Sequence, residues 1–187
     1  PSVLPKGPYA VYASTLFGYK SQLEVVEAYA LLKEKKINVP PLYLIGTGEE
    51  DYIQKVKRLI DHYKLNHQVI LAGEVSYQQM PLIYKDAAFI IFASQAENCP
   101  NILLESMTAG RAILCSNSPP MPEFGSDAVL YFDAKSPWDL AQRIEELLGN
   151  TENMALLEQK SRQRSKTYNW SETAEKTWSA LCKLAET

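Results

Sequence analysis

Short apolar runs recur along the chain, and between them apolar residues return at helical spacing. The runs, rich in β-branched and aromatic residues, cover residues 9–14, 42–45, 68–72, 89–94, 112–116 and 128–132. Four of the six are almost continuously apolar, which is typical of strands buried on both faces of a parallel sheet. The pattern therefore predicts six strands in one sheet.

Helices are predicted over residues 21–36, 51–63, 101–109, 136–149, 154–168 and 171–185, and a further short helix opens at Ser76. Ser21 and Glu24 have the spacing of a capping box, which predicts the start of the first helix. Gly110 and Gly149 are predicted to end the fourth and fifth. Alternating strands and helices imply right-handed βαβ units. The predicted fold is α/β: a doubly wound, mainly parallel, six-stranded Rossmann-like sheet with helices on both faces.

Composition and charge narrow the class of protein. The chain has 187 residues, 46% hydrophobic and 22% charged, which is the balance of a globular domain that buries its own core. A net charge of −3 argues against a nucleic-acid binder. The longest uncharged stretch of the core pattern, residues 87–96, is too short to cross a bilayer. Cys99, Cys115 and Cys182 form no CxxC pair, so a disulfide framework or zinc knuckle is not indicated and a reducing, cytoplasmic setting is expected.

Ligands of doubly wound sheets bind beyond the carboxyl ends of the strands, so the loops there hold the candidate residues. Lys20 precedes the first predicted helix, where its ammonium and the helix amides can face an anion; the alternative is an ordinary exposed lysine. Gly46 and Gly48 follow the second strand and let a ligand or a neighbouring loop approach the backbone, or form a plain tight turn. They are no dinucleotide fingerprint, because Asp51 stands where its third glycine belongs.

The segment 97–105 contains the most informative candidates. Glu97 follows a very apolar strand by a few residues, and Glu105 lies within the next helix on the same face as Asn101. Two carboxylates thus bracket a helix N-terminus, whose amides can bind phosphate while the carboxylates accept hydrogen bonds from hydroxyls. Glutamates that merely stabilise the helix dipole explain neither position, since Glu97 precedes the helix and Glu105 lies beyond its first turn. No DxD pair for a divalent cation occurs, and residues 119–123 are predicted to be a rigid connector.

Glu97 and Glu105 have the E-x7-E spacing of retaining GT-B glycosyltransferases. Nearly the whole chain resembles the C-terminal, donor-binding domain of the glycosyltransferase group 1 (family four) enzymes. The similar segments are residues 12–20, 44–49, 69–75, 82–94 and 97–110, the Pro-Glu at Glu123, and residues 170–183, which resemble the helix that closes the domain. The resemblance implies one half of a GT-B fold, with residues 1–8 as an interdomain linker and residues 9–187 as the nucleotide-sugar-binding domain.

The resemblance also implies roles for individual residues. Lys20 would pair with the diphosphate of the sugar donor, Glu105 would bind the ribose, and Glu97 would hold hydroxyls of the transferred sugar. Glu97 and Lys20 are the implied catalytic residues, and the turn at 73–75 would lie near the base. The implied donor-binding set is Ser14, Thr15, Lys20, Gly46, Gly48, Val75, Glu97, Asn98, Pro100, Asn101, Ile102 and Glu105. The implied substrate is a UDP-, GDP- or ADP-sugar, with no metal and no cofactor, because helix amides and a cation stabilise the leaving diphosphate.

Two departures from the family pattern shape the expected function. Thr15 stands where the family usually has Arg, so a charged clamp on the diphosphate is missing. The N-terminal Rossmann-like domain, which would hold a saccharide or glycolipid acceptor, is absent from the chain. We therefore expect the donor half of a hexosyltransferase that is inactive in isolation, cytoplasmic, and peripheral to the membrane through the missing domain. The alternative is a non-catalytic nucleotide-sugar or carbohydrate-binding module. Two other classes do not fit the sequence. A flavodoxin-like signalling domain needs acidic residues after the first strand, where this chain has Ser14 and Thr15, and an NAD-dependent dehydrogenase needs a glycine fingerprint that the sequence lacks.

Overall fold

Six strands form a single sheet in which every pairing is parallel. The structure is a computed structural model that describes residue 4 and residues 7–185, so most of the predicted linker 1–8 lies outside the described residues. The strands are β1 Ala10–Ala13, β2 Leu42–Ile45, β3 Val69–Gly73, β4 Phe89–Phe92, β5 Ile113–Ser116 and β6 Leu130–Phe132. Their spatial order is β3-β2-β1-β4-β5-β6, which confirms the predicted doubly wound sheet.

Helices cover both faces of the sheet. They are α1 Gln22–Glu34, α2 Glu50–His62, α3 Met80–Asp86, α4 Asn101–Thr108, α5 Met121–Gly125, α6 Pro137–Gly149, α7 Thr151–Ser165 and α8 Trp170–Ala185, with 3-10 turns at Gly18–Lys20 and Tyr77–Gln79. Alternate residues of β1 point to opposite faces, so Tyr12 joins the core beneath α1, α2 and α6. Val11 joins the second core beneath α3, α4 and α5. Burial on both faces is why the strands read as continuous apolar runs.

The start of α1 differs from the prediction. Ser21 has φ 55° and ψ 31°, the left-handed conformation, and its side chain caps nothing, so the capping box with Glu24 is wrong. Its hydroxyl instead accepts a hydrogen bond from Gln95 Nε2 at 2.8 Å. An N-cap residue needs extended backbone to bring its oxygen over the first turn, and the left-handed conformation of Ser21 does not provide it.

Other predicted helix boundaries fare better. The side chain of Ser136 accepts from the amide of Asp139 at 3.2 Å and caps α6. Gly110 follows the end of α4 with φ 62°, and Gly149 is the last residue of α6, so both helices end at the glycines that the sequence predicted. The predicted connector 119–123 contains the start of α5, so this part of the chain is a short helix after a proline-rich turn.

The last helix forms but does not close the domain. Every residue of α8 is exposed, including Trp170 and Trp178, which are 76% and 69% exposed. None of its residues belongs to either buried core. Among the helices of residues 7–185, none combines the length and the apolar character that crossing a bilayer requires.

Candidate functional site

The strand order reverses between β1 and β4, which are neighbours in the sheet. The chain proceeds from β1 toward β2 and β3 on one side, and from β4 toward β5 and β6 on the other. The loops after β1 and β4 therefore diverge and leave a crevice at the carboxyl edge, where doubly wound sheets bind their ligands. These two loops hold Lys20 and Glu97.

An ion pair joins the two loops across this crevice. Lys20 Nζ donates to Glu97 Oε1, although the residues are 77 positions apart in the chain. The Lys20 side chain is 9% exposed and that of Glu97 is 16% exposed, and the ammonium lies 4.9 Å from the centre of the Tyr19 ring. Lys20 is therefore not an ordinary exposed lysine, and the structure brings together the two residues expected to be catalytic.

Three uncharged hydrogen bonds hold the ends of this pair in place. The Gln95 amide donates to the Tyr19 carbonyl at 2.7 Å, and the Gln95 side chain reaches Ser21. The hydroxyl of Tyr12, buried in the sheet, donates to the Lys20 carbonyl at 2.6 Å. Burial raises the pKa of Tyr12 above its usual value, so the hydroxyl stays protonated and remains a hydrogen-bond donor. Gln95 was not identified from the sequence, where a single glutamine after a strand gives no signal.

The first loop is anchored by Gln22, a second residue that sequence reasoning missed. Its Nε2 donates to Ser14 Oγ and to the Thr15 carbonyl, each at 2.9 Å. Gln22 is 1% exposed, and its Oε1 has no hydrogen-bond partner among the described residues. The hydrogen bond from Gln22 holds the Thr15 backbone, whereas the Thr15 side chain is exposed. Another residue type could therefore replace Thr15 without loss of this contact.

The two glycines after β2 make room for the first loop. A Cβ on Gly46 would lie 3.0 Å from the carbonyl carbon of Ser14, and one on Gly48 would lie 2.7 Å from that of Leu16. Gly46 also has φ 128°, a conformation that favours glycine. The sequence left open whether a ligand, a neighbouring loop or only a tight turn accounts for these glycines. In the structure, the neighbouring loop after β1 occupies the space next to both residues. Gly46 lies against the backbone of Ser14 and Thr15, two of the predicted donor-binding residues, and Gly48 lies against the backbone of Leu16.

The start of α4 presents fewer free amides than expected. Pro100 is buried at the N-cap position and has no N–H, and the Asn101 amide donates to the Cys99 carbonyl at 2.9 Å. The amides of Ile102 and Leu103 remain as first-turn donors without an intrahelical acceptor. Asn98 and Cys99 are exposed at the rim, so a ligand can reach this helix end.

Glu105 lies on the second turn of α4, where its side chain contacts Tyr77 in the 3-10 turn that follows β3. Tyr77 donates from its hydroxyl to Glu105 Oε1 at 3.3 Å, and the charge of Glu105 raises the pKa of Tyr77. Cavities of about 330 and 670 Å³ border Glu105, the first lined by Leu104 and Trp170, among others, and the second by Tyr77. Val75 is half-buried in the loop between β3 and Tyr77.

Within residue 4 and residues 7–185, no group of three or more His, Cys, Asp or Glu side chains is placed to hold a metal ion. The cationic partner at the crevice is the ammonium of Lys20. The arrangement can thus bind a ligand with hydroxyls at Glu97 and Glu105 and with an anionic group near Lys20 and the start of α4.

This fold, with its crevice at the switch point, is the Rossmann-like fold of GT-B glycosyltransferases. The chain belongs to the glycosyl transferases group 1 family, whose sequence model matches residues 2–164. The family resemblance predicted from Glu97, Glu105 and the flanking motifs is confirmed.

Two sequence relatives and one solved structure illustrate what the chain is similar to. The serotype-specific mannosyltransferase WbdA of Escherichia coli is 26% identical over 129 residues, which cover 69% of this chain and 15% of the relative. The O-antigen chain mannosyltransferase B of Escherichia coli is 25% identical over 173 residues, 92% of this chain and 45% of the relative. The crystal structure of Anabaena HepE in complex with UDP-glucose superposes with a TM-score of 0.83 at 18% identity, covering 94% of this chain and 49% of that one. The chain thus spans less than half the length of each.

Proposed function

We propose that this chain is the donor-binding domain of a retaining glycosyltransferase that moves a hexose from a nucleotide-sugar to a carbohydrate or glycolipid acceptor. The observation that supports this most directly is the Lys20–Glu97 pair at the switch point, next to the start of α4. A cation, the first-turn amides of a helix and two carboxylates are the groups that the phosphates and hydroxyls of a nucleotide-sugar require.

The diphosphate binds between Lys20 and the first turn of α4 in this proposal. Amides of Ile102 and Leu103 donate to phosphate oxygens, and Lys20 supplies the positive charge that stabilises the leaving group. A divalent metal is not required, because these groups take its role. The charge that develops on the departing diphosphate makes Lys20 a catalytic residue, since its interaction strengthens as the bond to the sugar breaks.

The two carboxylates divide the hydroxyls of the ligand. Glu105 accepts from the ribose, with the base beside Val75 and the adjoining turn. Glu97 accepts from hydroxyls of the transferred hexose and holds the sugar at the crevice. A UDP-, GDP- or ADP-sugar fits this arrangement. The relatives named mannosyltransferases and the neighbour crystallised with UDP-glucose support a hexose.

The whole enzyme needs a second domain in this proposal. The chain covers 45% of the mannosyltransferase and 49% of the UDP-glucose-bound neighbour, which leaves room for an N-terminal Rossmann-like domain that holds the acceptor, joined through residues 1–8. The exposed apolar residues of α8 offer such a domain a surface to cover. Positioning of two substrates can lower the activation barrier by roughly 7–11 kcal/mol. The isolated domain lacks the acceptor site in this proposal, so it binds the donor and transfers no sugar.

A non-catalytic nucleotide-sugar or carbohydrate-binding module is the second candidate. The neutral, exposed Thr15 favours it, because the charged clamp expected at this position is missing. Transfer activity of the full-length protein distinguishes the two functions, since both bind the nucleotide-sugar.

Calorimetric titration of the domain with UDP, GDP and ADP and their glucose and mannose conjugates tests the proposal. We expect one base to be preferred and binding to persist in EDTA. Lys20→Met should weaken binding of that ligand at least about ten-fold, the loss of a charge-assisted hydrogen bond. Absence of binding by all three bases, with a folded protein, would refute donor binding.

A further inference from the structure

The crevice is poor in positive charge. The loops that follow β1 to β5 contain three glutamates and one lysine, namely Glu49, Glu74, Glu97 and Lys20. A nucleoside diphosphate carries at least two negative charges, so this edge repels it except at Lys20 and the start of α4. Nothing in the loop after β1 adds a second cation, since Thr15 is neutral.

The one cation of these loops is paired with a carboxylate. Lys20 and Glu97 are both largely buried, and the hydrogen bonds of Gln95 hold their loops together. A diphosphate close to Lys20 is therefore also repelled by the negative charge of Glu97. It can pair with the Lys20 ammonium only if the ion pair between Lys20 and Glu97 breaks.

A hexose attached to the diphosphate changes this balance. The hydroxyls of the hexose donate hydrogen bonds to the Glu97 carboxylate. These hydrogen bonds replace part of the stabilisation that the carboxylate obtains from Lys20. The ammonium is then released toward the phosphates. The sugar and the diphosphate thus help each other to bind through one ion pair, and such coupling is reciprocal.

We infer that the Lys20–Glu97 pair is a selectivity switch by which the site prefers the intact nucleotide-sugar to the bare nucleoside diphosphate. The inference rests on the proposed function and assigns Glu97 a second role, as competitor of the diphosphate for Lys20. Once the sugar has been transferred, Glu97 has lost its hydroxyls and takes Lys20 back, so the site expels the nucleoside diphosphate that remains.

The test compares binding of a nucleoside diphosphate and its hexose conjugate, using the base that the wild-type domain prefers. Glu97→Gln keeps the size of the side chain and removes its charge. Glu49→Gln is the matched control, because it removes one exposed charge from the same edge without touching Lys20. Circular dichroism and thermal unfolding verify the fold of each variant, and Glu97→Asp, which withdraws the carboxylate by one methylene, replaces Glu97→Gln should that variant not fold.

We expect Glu97→Gln to bind the nucleoside diphosphate about ten-fold more tightly, the effect of removing a like charge several ångströms away in a half-buried site. Its preference for the conjugate should fall by more than that factor, while Glu49→Gln shifts either affinity less than two-fold. Glu97→Asp should change both in the same direction by a smaller factor. Unchanged or weaker diphosphate binding in Glu97→Gln overturns the switch, and so does an equal gain in Glu49→Gln. A wild-type domain that binds no nucleotide at all refutes the proposed function and the switch together.

Discussion

Gly48→Ala tests whether the two glycines after β2 exist to seat the first loop. The new Cβ would lie 2.7 Å from the carbonyl carbon and 2.9 Å from the Cα of Leu16. Both atoms belong to the backbone, so no side chain can rotate away to relieve the contact. The loop must move by several tenths of an ångström or more, and Leu16, only 2% exposed, moves with it.

The magnitude follows from what this movement disturbs. The Leu16 amide donates to the Thr47 carbonyl at 3.0 Å, and a hydrogen bond of this type contributes about 1 kcal/mol. Displacing a packed core side chain by a steric contact adds about 1–2 kcal/mol. The sum of about 2–3 kcal/mol corresponds to a fall in Tm of roughly 4–12 °C for a domain of this size.

Thermal unfolding followed by circular dichroism measures the first effect, and nucleotide titration measures the second, because the displaced loop ends at Lys20. Gly18→Ala is the matched control, since the nearest atom to its Cβ is a ring carbon of Tyr52 at 4.0 Å. We expect Gly18→Ala to stay within about 1 kcal/mol of the wild type in stability. A Gly48→Ala domain as stable as Gly18→Ala, with unchanged affinity for nucleotide, would show that the loop yields freely and that the glycines have another role.

Three further predictions concern the ligand. Thr15→Arg should tighten nucleoside diphosphate binding several-fold at low ionic strength and lose most of that gain in 0.5 M salt, whereas the neutral Thr15→Gln should not; equal effects of both variants would place the loop away from the phosphates. Glu105→Gln should weaken nucleoside diphosphate binding by about 1–2 kcal/mol and leave binding of the 2′,3′-dideoxy analogue unchanged, because only the ribose hydroxyls donate to this carboxylate; equal losses would exclude the ribose role. Iodoacetamide should label Cys99 and Cys182 but not Cys115, whose burial raises its thiol pKa. Bound nucleotide should slow labelling of Cys99 alone, and unprotected Cys99 would argue that the ligand lies elsewhere.

The strands could be predicted because burial on both faces makes β1, β2, β4 and β5 almost continuously apolar. Leu42–Ile45 was predicted with its observed bounds, and each of the other five lies within two residues of the prediction at either end. The start of α1 could not be predicted, although Ser21 and Glu24 have capping-box spacing. A tertiary contact determines how this helix starts, because the hydroxyl of Ser21 accepts a hydrogen bond from Gln95 in the loop after β4.

In the candidate site as well, some residues could be predicted from the sequence and others could not. Lys20 and Glu97 could be proposed from the chemistry of their side chains and from their place after strands, and Glu105 from its place in the helix that follows Glu97. Their partners could not, because Gln22, Gln95 and Tyr77 are ordinary polar residues whose contacts span between 7 and 74 positions of the chain. The spacing of motifs shows which strand end a residue follows, whereas hydrogen bonds across the crevice depend on which strands are neighbours.

The ion pair also changes the meaning of Thr15. From the sequence, threonine here removes one of two cations that would hold a diphosphate. In the structure, the remaining cation, Lys20, is paired with Glu97. A nucleotide-sugar then gains the ammonium only in exchange for the Lys20–Glu97 ion pair. The net gain in binding therefore comes chiefly from helix amides and from hydroxyls that donate to carboxylates, which are short-range interactions that salt screens weakly. The affinity of the wild-type domain for a nucleotide-sugar should therefore change little with ionic strength. An unpaired guanidinium at position 15 would add a positive charge to the crevice, and a steeper dependence on salt would come with it.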